Sequence, residues 1–269
     1  MPTCYIVGAG DFTPRGFAPV PGDLVLAADG GYRALYSLGY TPDLLLGDFD
    51  SLGDLPLPPD LPVLRFPARK DDTDTGLALR HGLDRGFRDF ALYGCAGGRV
   101  DHLLANLQSM ARVSRLGATI RLAAPEYDAW ALTGPAPDTS ASDASAPDAS
   151  APHASGPAPH APHTPALHAS APHISASHAS APSTSAPSTS APDGPAAPLT
   201  LPDRPGGTLV SVFCHGDRAE GVTLTGLSYP LDGADLTGDF PLGVSNRRLE
   251  GQPATVSVRR GTLLIFQGV

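Results

Sequence analysis

The amino-acid sequence predicts an α/β fold: an N-terminal, mainly parallel sheet flanked by helices, followed by a small all-β sandwich domain that carries a long disordered insert. Three observations predict it. Up to about Ala123, short apolar runs alternate with helix-like stretches, the pattern of successive βαβ units. From about Pro135 to Pro205 the chain is almost entirely Ala, Ser, Pro, His, Asp and Thr. Beyond it the texture turns β-rich, with turn signals between short apolar runs.

The first region reads as strands at Cys4–Val7, Leu24–Ala27, Leu44–Leu46, Val63–Phe66, Phe90–Tyr93 and Thr119–Leu122. Helices are expected over Tyr32–Leu38, Thr75–Leu83 and Asp101–Leu116. In the last of these, Leu103, Leu104, Leu107, Met110 and Val113 recur at three- and four-residue steps, and Gly117 follows. In the insert, Ala-Pro-His recurs at 151–153, 158–160, 161–163 and 171–173. With almost nothing apolar larger than alanine, it cannot offset its ordering entropy and is expected to be disordered. Its six histidines could bind metal only weakly. After it, strands are expected at Leu209–Phe213, Val222–Leu227, Ala254–Arg259 and Thr262–Gln267.

Composition excludes several function classes. A formal net charge of −9 over 269 residues disfavours a nucleic-acid or anionic-membrane surface. Three scattered cysteines, Cys4, Cys95 and Cys214, form no disulfide framework and fit a reducing cytoplasm. The N-terminal apolar run breaks at Gly8 without a basic region before it, so no signal peptide and no membrane span are expected.

The chemistry is expected in the loops that follow the strands, because parallel sheets bind ligands beyond their carboxyl ends. Asp29 stands in Ala28-Asp29-Gly30-Gly31, directly after the second strand. Asp48 and Asp50 follow the third, two apart, so that both carboxylates can face one space. Lys70-Asp71-Asp72-Thr73-Asp74 leads into a helix, where Asp71 and Asp74 can share a face. Gly97-Gly98-Arg99-Val100-Asp101-His102 lies between the fifth strand and the long helix. Crowded carboxylates repel unless they protonate or share a cation. Hard oxygen ligands suit Mg²⁺, which bridges protein carboxylates and substrate phosphates. Lys70 and Arg99 supply positive charge, and glycines at 97 and 98 allow backbone N–H groups to approach a phosphate. Gly8-Ala9-Gly10 lacks the third glycine of a dinucleotide fingerprint, since Thr13 occupies that place, and no Walker A sequence occurs.

These motifs, in this order and spacing, resemble those of thiamine pyrophosphokinases: Ala-Asp-Gly-Gly at 28–31, Pro-Asp-Leu-Leu-Leu-Gly-Asp-Phe-Asp-Ser at 42–51, Lys-Asp-x-Thr-Asp at 70–74 and Gly-Gly-Arg-x-Asp-His at 97–102. The tail adds Gly226-Leu227-Ser228-Tyr229-Pro230-Leu231 and Leu242-Gly243-Val244-Ser245-Asn246, similar to the family's G-L-x-Y-P-L and G-x-S-N segments. One departure is that Tyr32-Arg33-Ala34 stands where the family often has Ala-Asn-Arg. The resemblance implies an ATP-binding α/β domain over 1–123 and a β-sandwich domain over 124–269 that the insert, at about 136–205, interrupts. It also implies a homodimer with active sites at the subunit interface.

On that footing the expected reaction is transfer of a diphosphate from ATP to the hydroxyl of thiamine, with AMP leaving. Asp29, Asp48, Asp50, Asp74 and Asp101 are the expected catalytic residues, Asp50 or Asp101 accepting the hydroxyl proton. Asp48, Asp71 and Asp74 are the expected Mg²⁺ ligands. Lys70, Gly97, Gly98 and Arg99 are expected at the phosphates, and Ser245 and Asn246 at the thiamine pyrimidine. A pterin pyrophosphokinase with a related domain would share the aspartates without needing the Ser-Asn loop. A non-catalytic nucleotide- or thiamine-binding module should have lost acidic positions that this chain keeps.

Overall fold

The computed structural model describes residues 1–49, 52–66, 72–135 and 197–269. The first half alternates β1 (Cys4–Val7), β2 (Leu24–Ala28), α1 (Gly31–Ser37), β3 (Leu44–Gly47), β4 (Val63–Arg65), α2 (Asp74–Asp84), β5 (Asp89–Tyr93), α3 (Val100–Arg115) and β6 (Thr119–Ala123). Strands β1 to β6 pair in parallel throughout. The five residues of β2 are all buried, because layers cover both faces of the sheet and every side chain must be apolar. On one face, α2 and α3 bury Ala78, Leu79, Leu107, Met110 and Val113 against Ile6, Leu26, Leu46, Phe90 and Leu92. On the other, α1 and the loop after β1 close over Val7, Val25, Ala27 and Tyr93. Leu104 departs from the expected stripe and is 57% exposed, since the buried arc of α3 runs through 107, 110, 111 and 114.

The second half contains β7 (Tyr127–Thr133), β8 (Leu199–Thr200), β9 (Leu209–Cys214), β10 (Arg218–Thr225), β11 (Leu231–Thr237), β12 (Gly243–Arg247), β13 (Thr255–Ser257) and β14 (Thr262–Gly268). Chain direction reverses where β7 pairs antiparallel with β6. From there β7, β14, β9 and β12 prolong the N-terminal sheet to ten strands, ordered β12-β9-β14-β7-β6-β5-β1-β2-β3-β4. A second sheet, β11-β10-β13-β8, covers the prolonged part. Trp130, Val210, Val212 and Ile265 meet Val222, Leu224, Leu236 and Val256 in a separate core. This is the β domain expected from the sequence, joined edge to edge with the parallel sheet.

The expected end of the insert, near Pro205, needs correction. Leu199–Thr200 pairs with β13, and Leu201 is 3% exposed in the sandwich core. Arg248 and Gln267 both donate to the Pro202 carbonyl, at 3.0 and 3.1 Å. The segment reads as insert because prolines surround it. It folds because it supplies one core leucine and an acceptor for two buried side chains. Residues 136–196 of the expected insert lie outside the described residues. Among the described residues, no helix is long and apolar enough to cross a membrane.

Candidate active site

Because β1 to β6 are parallel, their carboxyl ends share one edge of the sheet, and the loops singled out in the sequence leave from that edge. Asp29 follows β2, Asp48 follows β3, Asp74 opens α2, and Gly97 to Asp101 join β5 to α3. Asp50, Lys70 and Asp71 lie outside the described residues.

The loops after β2 and β3 are built on each other. Asp29 has φ 49 and Phe49 has φ 70, conformations costly for residues with a Cβ. They are held by local bonds. The Asp29 N–H donates to the Leu46 carbonyl at 2.7 Å, and the Phe49 N–H donates to Asp29 Oδ1 at 3.2 Å. Gly47 lets the two loops touch: at its φ of 150°, a Cβ would lie 3.1 Å from both Asp29 Cα and Cβ. Gly31 does the same for the start of α1, where a Cβ would fall 1.8 Å from the Val7 carbonyl oxygen. Thus one Asp29 oxygen orders the loop that presents Asp48.

At α2, Thr73 caps the helix by accepting the Gly76 N–H at 3.0 Å. Asp72 accepts from Thr73 N–H at 2.9 Å and from Arg80 at 2.5 Å. Asp72 therefore shapes the turn, and Asp74 stands in the first turn of the helix. After β5, Gly97 and Gly98 are exposed. Asn106, buried in α3, donates to the Cys95 carbonyl at 2.8 Å and ties this loop to the helix. Burial pushes the Cys95 thiol up to about 11, so it is not a thiolate nucleophile near neutral pH.

Arg99 and Asp101 form an exposed two-point pair, at 3.1 and 2.6 Å. The Arg99 hydrogen bond holds the Asp101 carboxyl below the usual carboxylate range, which weakens it as a proton acceptor. For Arg99 to reach a phosphate, this pair must open. The Gly8-Ala9-Gly10 loop offers little to an anion: the Gly8, Gly10 and Asp11 N–H groups donate to the carbonyls of Tyr93, Gly94 and Ala96 at 2.7–2.8 Å.

Among the described residues, no three acidic, histidine or cysteine side chains gather around one point. Asp48 and Asp74 are hard oxygen donors on the edge where a metal–polyphosphate would sit, and their chemistry suits Mg²⁺.

Ser245 and Asn246 lie elsewhere. They are in β12, at the far end of the ten-stranded sheet, seven strand steps from β2 and eight from β3. At about 4.8 Å per step that is roughly 34–38 Å along the sheet. The structure therefore does not bring them together with the aspartates in one chain. Ser245 is exposed at φ 59, in a bulged stretch of β12, and its N–H donates to Ser211 Oγ at 3.1 Å. Asn246 is 3% exposed. Its Oδ1 accepts from the Tyr229 and Arg247 N–H groups, both at 2.9 Å, and its Nδ2 donates to the Tyr229 carbonyl at 2.7 Å. With both lone pairs engaged, Asn246 has one amide N–H left for a ligand. Its main visible work is to hold Tyr229, 71% exposed, at the rim of the β domain.

Sequence reasoning missed Tyr229 as a site residue, and it missed Arg65, the last residue of β4. The Arg65 guanidinium lies 4.6 Å from the Phe49 ring centre and reaches the Asp48 carbonyl at 3.4 Å. Its position at a strand's carboxyl end was the available signal.

Two family descriptions match the chain. Residues 21–122 match the thiamin pyrophosphokinase catalytic domain, and residues 199–263 match the thiamin pyrophosphokinase vitamin B1 binding domain. Together they span more than half of the sequence. The chain belongs to the thiamine pyrophosphokinase family.

A thiamine pyrophosphokinase of Bacillus subtilis (strain 168) is 33% identical over 103 residues, which are 37% of this chain and 48% of that protein. That match thus spans about half the length of the relative. Solved thiamine pyrophosphokinases share the fold. The Bacillus subtilis structure aligns with a TM-score of 0.68 at 20% identity, over 99% of both chains. The Geobacillus thermodenitrificans structure gives 0.65 at 20% identity, over 99% of this chain and 97% of that one. The Candida albicans structure gives 0.60 at 11% identity, over 100% and 89%. The second family match begins at Leu199, where β8 begins.

Proposed function

We propose that the chain transfers the diphosphate of ATP to thiamine, giving thiamine diphosphate and AMP. The observation that carries this is the pairing, in one family member, of acidic loops on a parallel-sheet edge with an ordered Ser245-Asn246-Tyr229 rim on the β domain. The thiamine hydroxyl oxygen attacks the β-phosphorus, the bond from the bridging oxygen to that phosphorus breaks, AMP leaves with the bridging oxygen, and the hydroxyl proton passes to a carboxylate. Positioning and charge neutralisation do most of the work in such transfers.

Asp48, Asp71 and Asp74 would hold Mg²⁺, which supplies charge neutralisation and Lewis acidity at the phosphates when bound. Asp29 keeps the Asp48 loop in place through the Phe49 N–H. Lys70, Gly97, Gly98 and Arg99 would bind the polyphosphate, Arg99 after exchanging Asp101 for it. Asp50, or Asp101 once Arg99 has turned from it to the phosphates, accepts the hydroxyl proton. Ser245 and the free N–H of Asn246 hold the pyrimidine. Three free cysteines support a reducing cytoplasm as the compartment.

Two half-sites some 34 Å apart along one sheet are united by a second copy of the chain, so the working form is a homodimer. Phe240 and Leu242, just before the edge strand β12, and Val244 within it are 64%, 50% and 40% exposed, an apolar surface suited to that contact. The test is product formation from ATP, thiamine and Mg²⁺, with a pterin alcohol as the competing acceptor. Thiamine diphosphate and AMP are expected only when all three are present; AMP formed with the pterin alcohol but not with thiamine would overturn the proposal. Subunit exchange between Asp74→Ala and Ser245→Ala/Asn246→Ala chains should restore one intact site per mixed dimer. No recovery after verified exchange would place the whole site within one subunit.

A further inference from the structure

We infer that Arg65 is a positioning residue of the proposed reaction, fixing the loop that carries Asp48 by clamping it from the neighbouring strand. The inference rests on the functional reading above and extends it to a residue outside the acidic motifs. Gly47 pairs in register with Arg65, so the side chain at the end of β4 stands beside the turn 47–49. The Phe66 N–H donates to the Gly47 carbonyl at 2.9 Å, and the Arg65 guanidinium reaches the next carbonyl, that of Asp48, at 3.4 Å. The same guanidinium lies over the Phe49 ring with its carbon 4.6 Å from the centroid, within the range of cation–π attraction. Phe49 sits at φ 70, a conformation that a bulky residue keeps only when its surroundings over-determine it.

The turn is thus held from two sides. Asp29 takes the Phe49 N–H from the β2 side, and Arg65 holds the Asp48 carbonyl and the Phe49 ring from the β4 side. The backbone that carries Asp48 is thus fixed between two fasteners. Arg65 is exposed, so its removal costs the core little and should act on the site. A planar guanidinium can stack on the ring and donate to the carbonyl together. An ammonium offers a compact charge without that plane.

The experiment is a double-mutant cycle of Arg65→Ala, Phe49→Leu and the pair, with Arg65→Lys as the conservative variant. Three quantities are read: kcat, KM for thiamine, and calorimetric affinity for α,β-methylene-ATP with Mg²⁺, which requires no turnover. Arg65→Ala should lower kcat about tenfold or more and weaken analogue binding at least fivefold, with thiamine KM within about twofold and an unchanged melting midpoint. Arg65→Lys should recover part of both losses. The double variant should lose little more than Arg65→Ala alone, because both changes release the same turn. Additive losses, or an Arg65→Ala variant within twofold of wild type in both kcat and analogue affinity, would overturn the inference. A wild type that binds the analogue yet makes no thiamine diphosphate would sink the proposed reaction instead, leaving Arg65 to be judged by the binding cycle.

Discussion

Two deletions that differ by seven residues should have opposite effects on stability. In the first, residues 136–196 are replaced by a Gly/Ser bridge of about ten residues; in the second, the bridge replaces 136–203. Composition alone treats them as equivalent, since both remove Ala/Ser/Pro-rich sequence. The first shortens the connection from 61 residues to about ten, which lowers the loop-closure cost by about 1.6 kcal/mol. It should raise the melting midpoint by a few degrees. The second also removes β8, Leu201 and the Pro202 carbonyl. Losing a leucine that is 3% exposed costs about 2–5 kcal/mol. Gln267 loses its 3.1 Å acceptor, and Arg248 loses acceptors at 3.0 and 3.1 Å. Stranding two such buried groups adds about 1–3 kcal/mol each. A sum of roughly 4–11 kcal/mol is comparable to a whole domain's stability. The second deletion should melt at least 10 °C lower or fail to fold. Thermal melts followed by circular dichroism, with size exclusion for aggregation, measure both. Equal midpoints, or unfolding by the shorter deletion, would refute the boundary at Ala197.

Asp48→Ala and Asp74→Ala should each lose at least about 10²-fold in kcat, the scale of one strong electrostatic stabiliser, with unchanged circular dichroism; full turnover at saturating Mg²⁺ would remove them from the site. Asn246→Ala should raise thiamine KM about three- to tenfold, leave ATP KM alone, and destabilise by about 1–3 kcal/mol by stranding the Tyr229 backbone; a variant with wild-type melting would show that the Tyr229 bonds carry no load. His81 should make stability pH-dependent. Burial first, and Arg85 second, lower its pKa from 6.5, and its Nε2 is buried without a partner among the described residues. The unfolded chain therefore takes up the proton first, and this stabilisation, full above pH 6.5, is lost as pH falls from 6.5 towards the folded value. Urea midpoints at pH 7.5 and 5.5 should differ more in wild type than in His81→Gln, and equal differences would contradict it.

Most of the parallel half was legible because its inner strands are buried on both faces. A run such as Leu24-Val25-Leu26-Ala27-Ala28 has no exposed position to blur it. Edge elements were harder to read. β11 buries only Leu236 and carries Asp232, Gly233 and Asp235, so it reads as a turn. β12 is interrupted by a bulge at the Ser-Asn pair, and β8 is two residues beside prolines. The acidic loops were legible because strand ends announce them. The work of Asn246 on Tyr229 and of Arg65 on Phe49 joins residues 17 and 16 positions apart through turns whose geometry only the fold supplies.

Backbone strain ties these loops to function more directly than their composition does. Among the described residues, three non-glycine positions adopt positive φ: Asp29, Phe49 and Ser245. Each lies in a segment that the motifs single out, two in loops and Ser245 in the bulge of β12, and each has its N–H held, by Leu46, by Asp29 and by Ser211 respectively. A glycine at any of them would relieve the cost, and Gly31 and Gly47 stand close to the first two to show that the chain uses glycine in these turns where close approach demands it. Side chains at the three strained positions are therefore wanted in themselves: a carboxylate that orders the next loop, a ring beneath a guanidinium, and a hydroxyl on the rim of the β domain. Two lie at one end of the ten-stranded sheet and one at the other. Strain is thus held near both ends of one sheet, in the acidic loops and at the Ser-Asn pair alike.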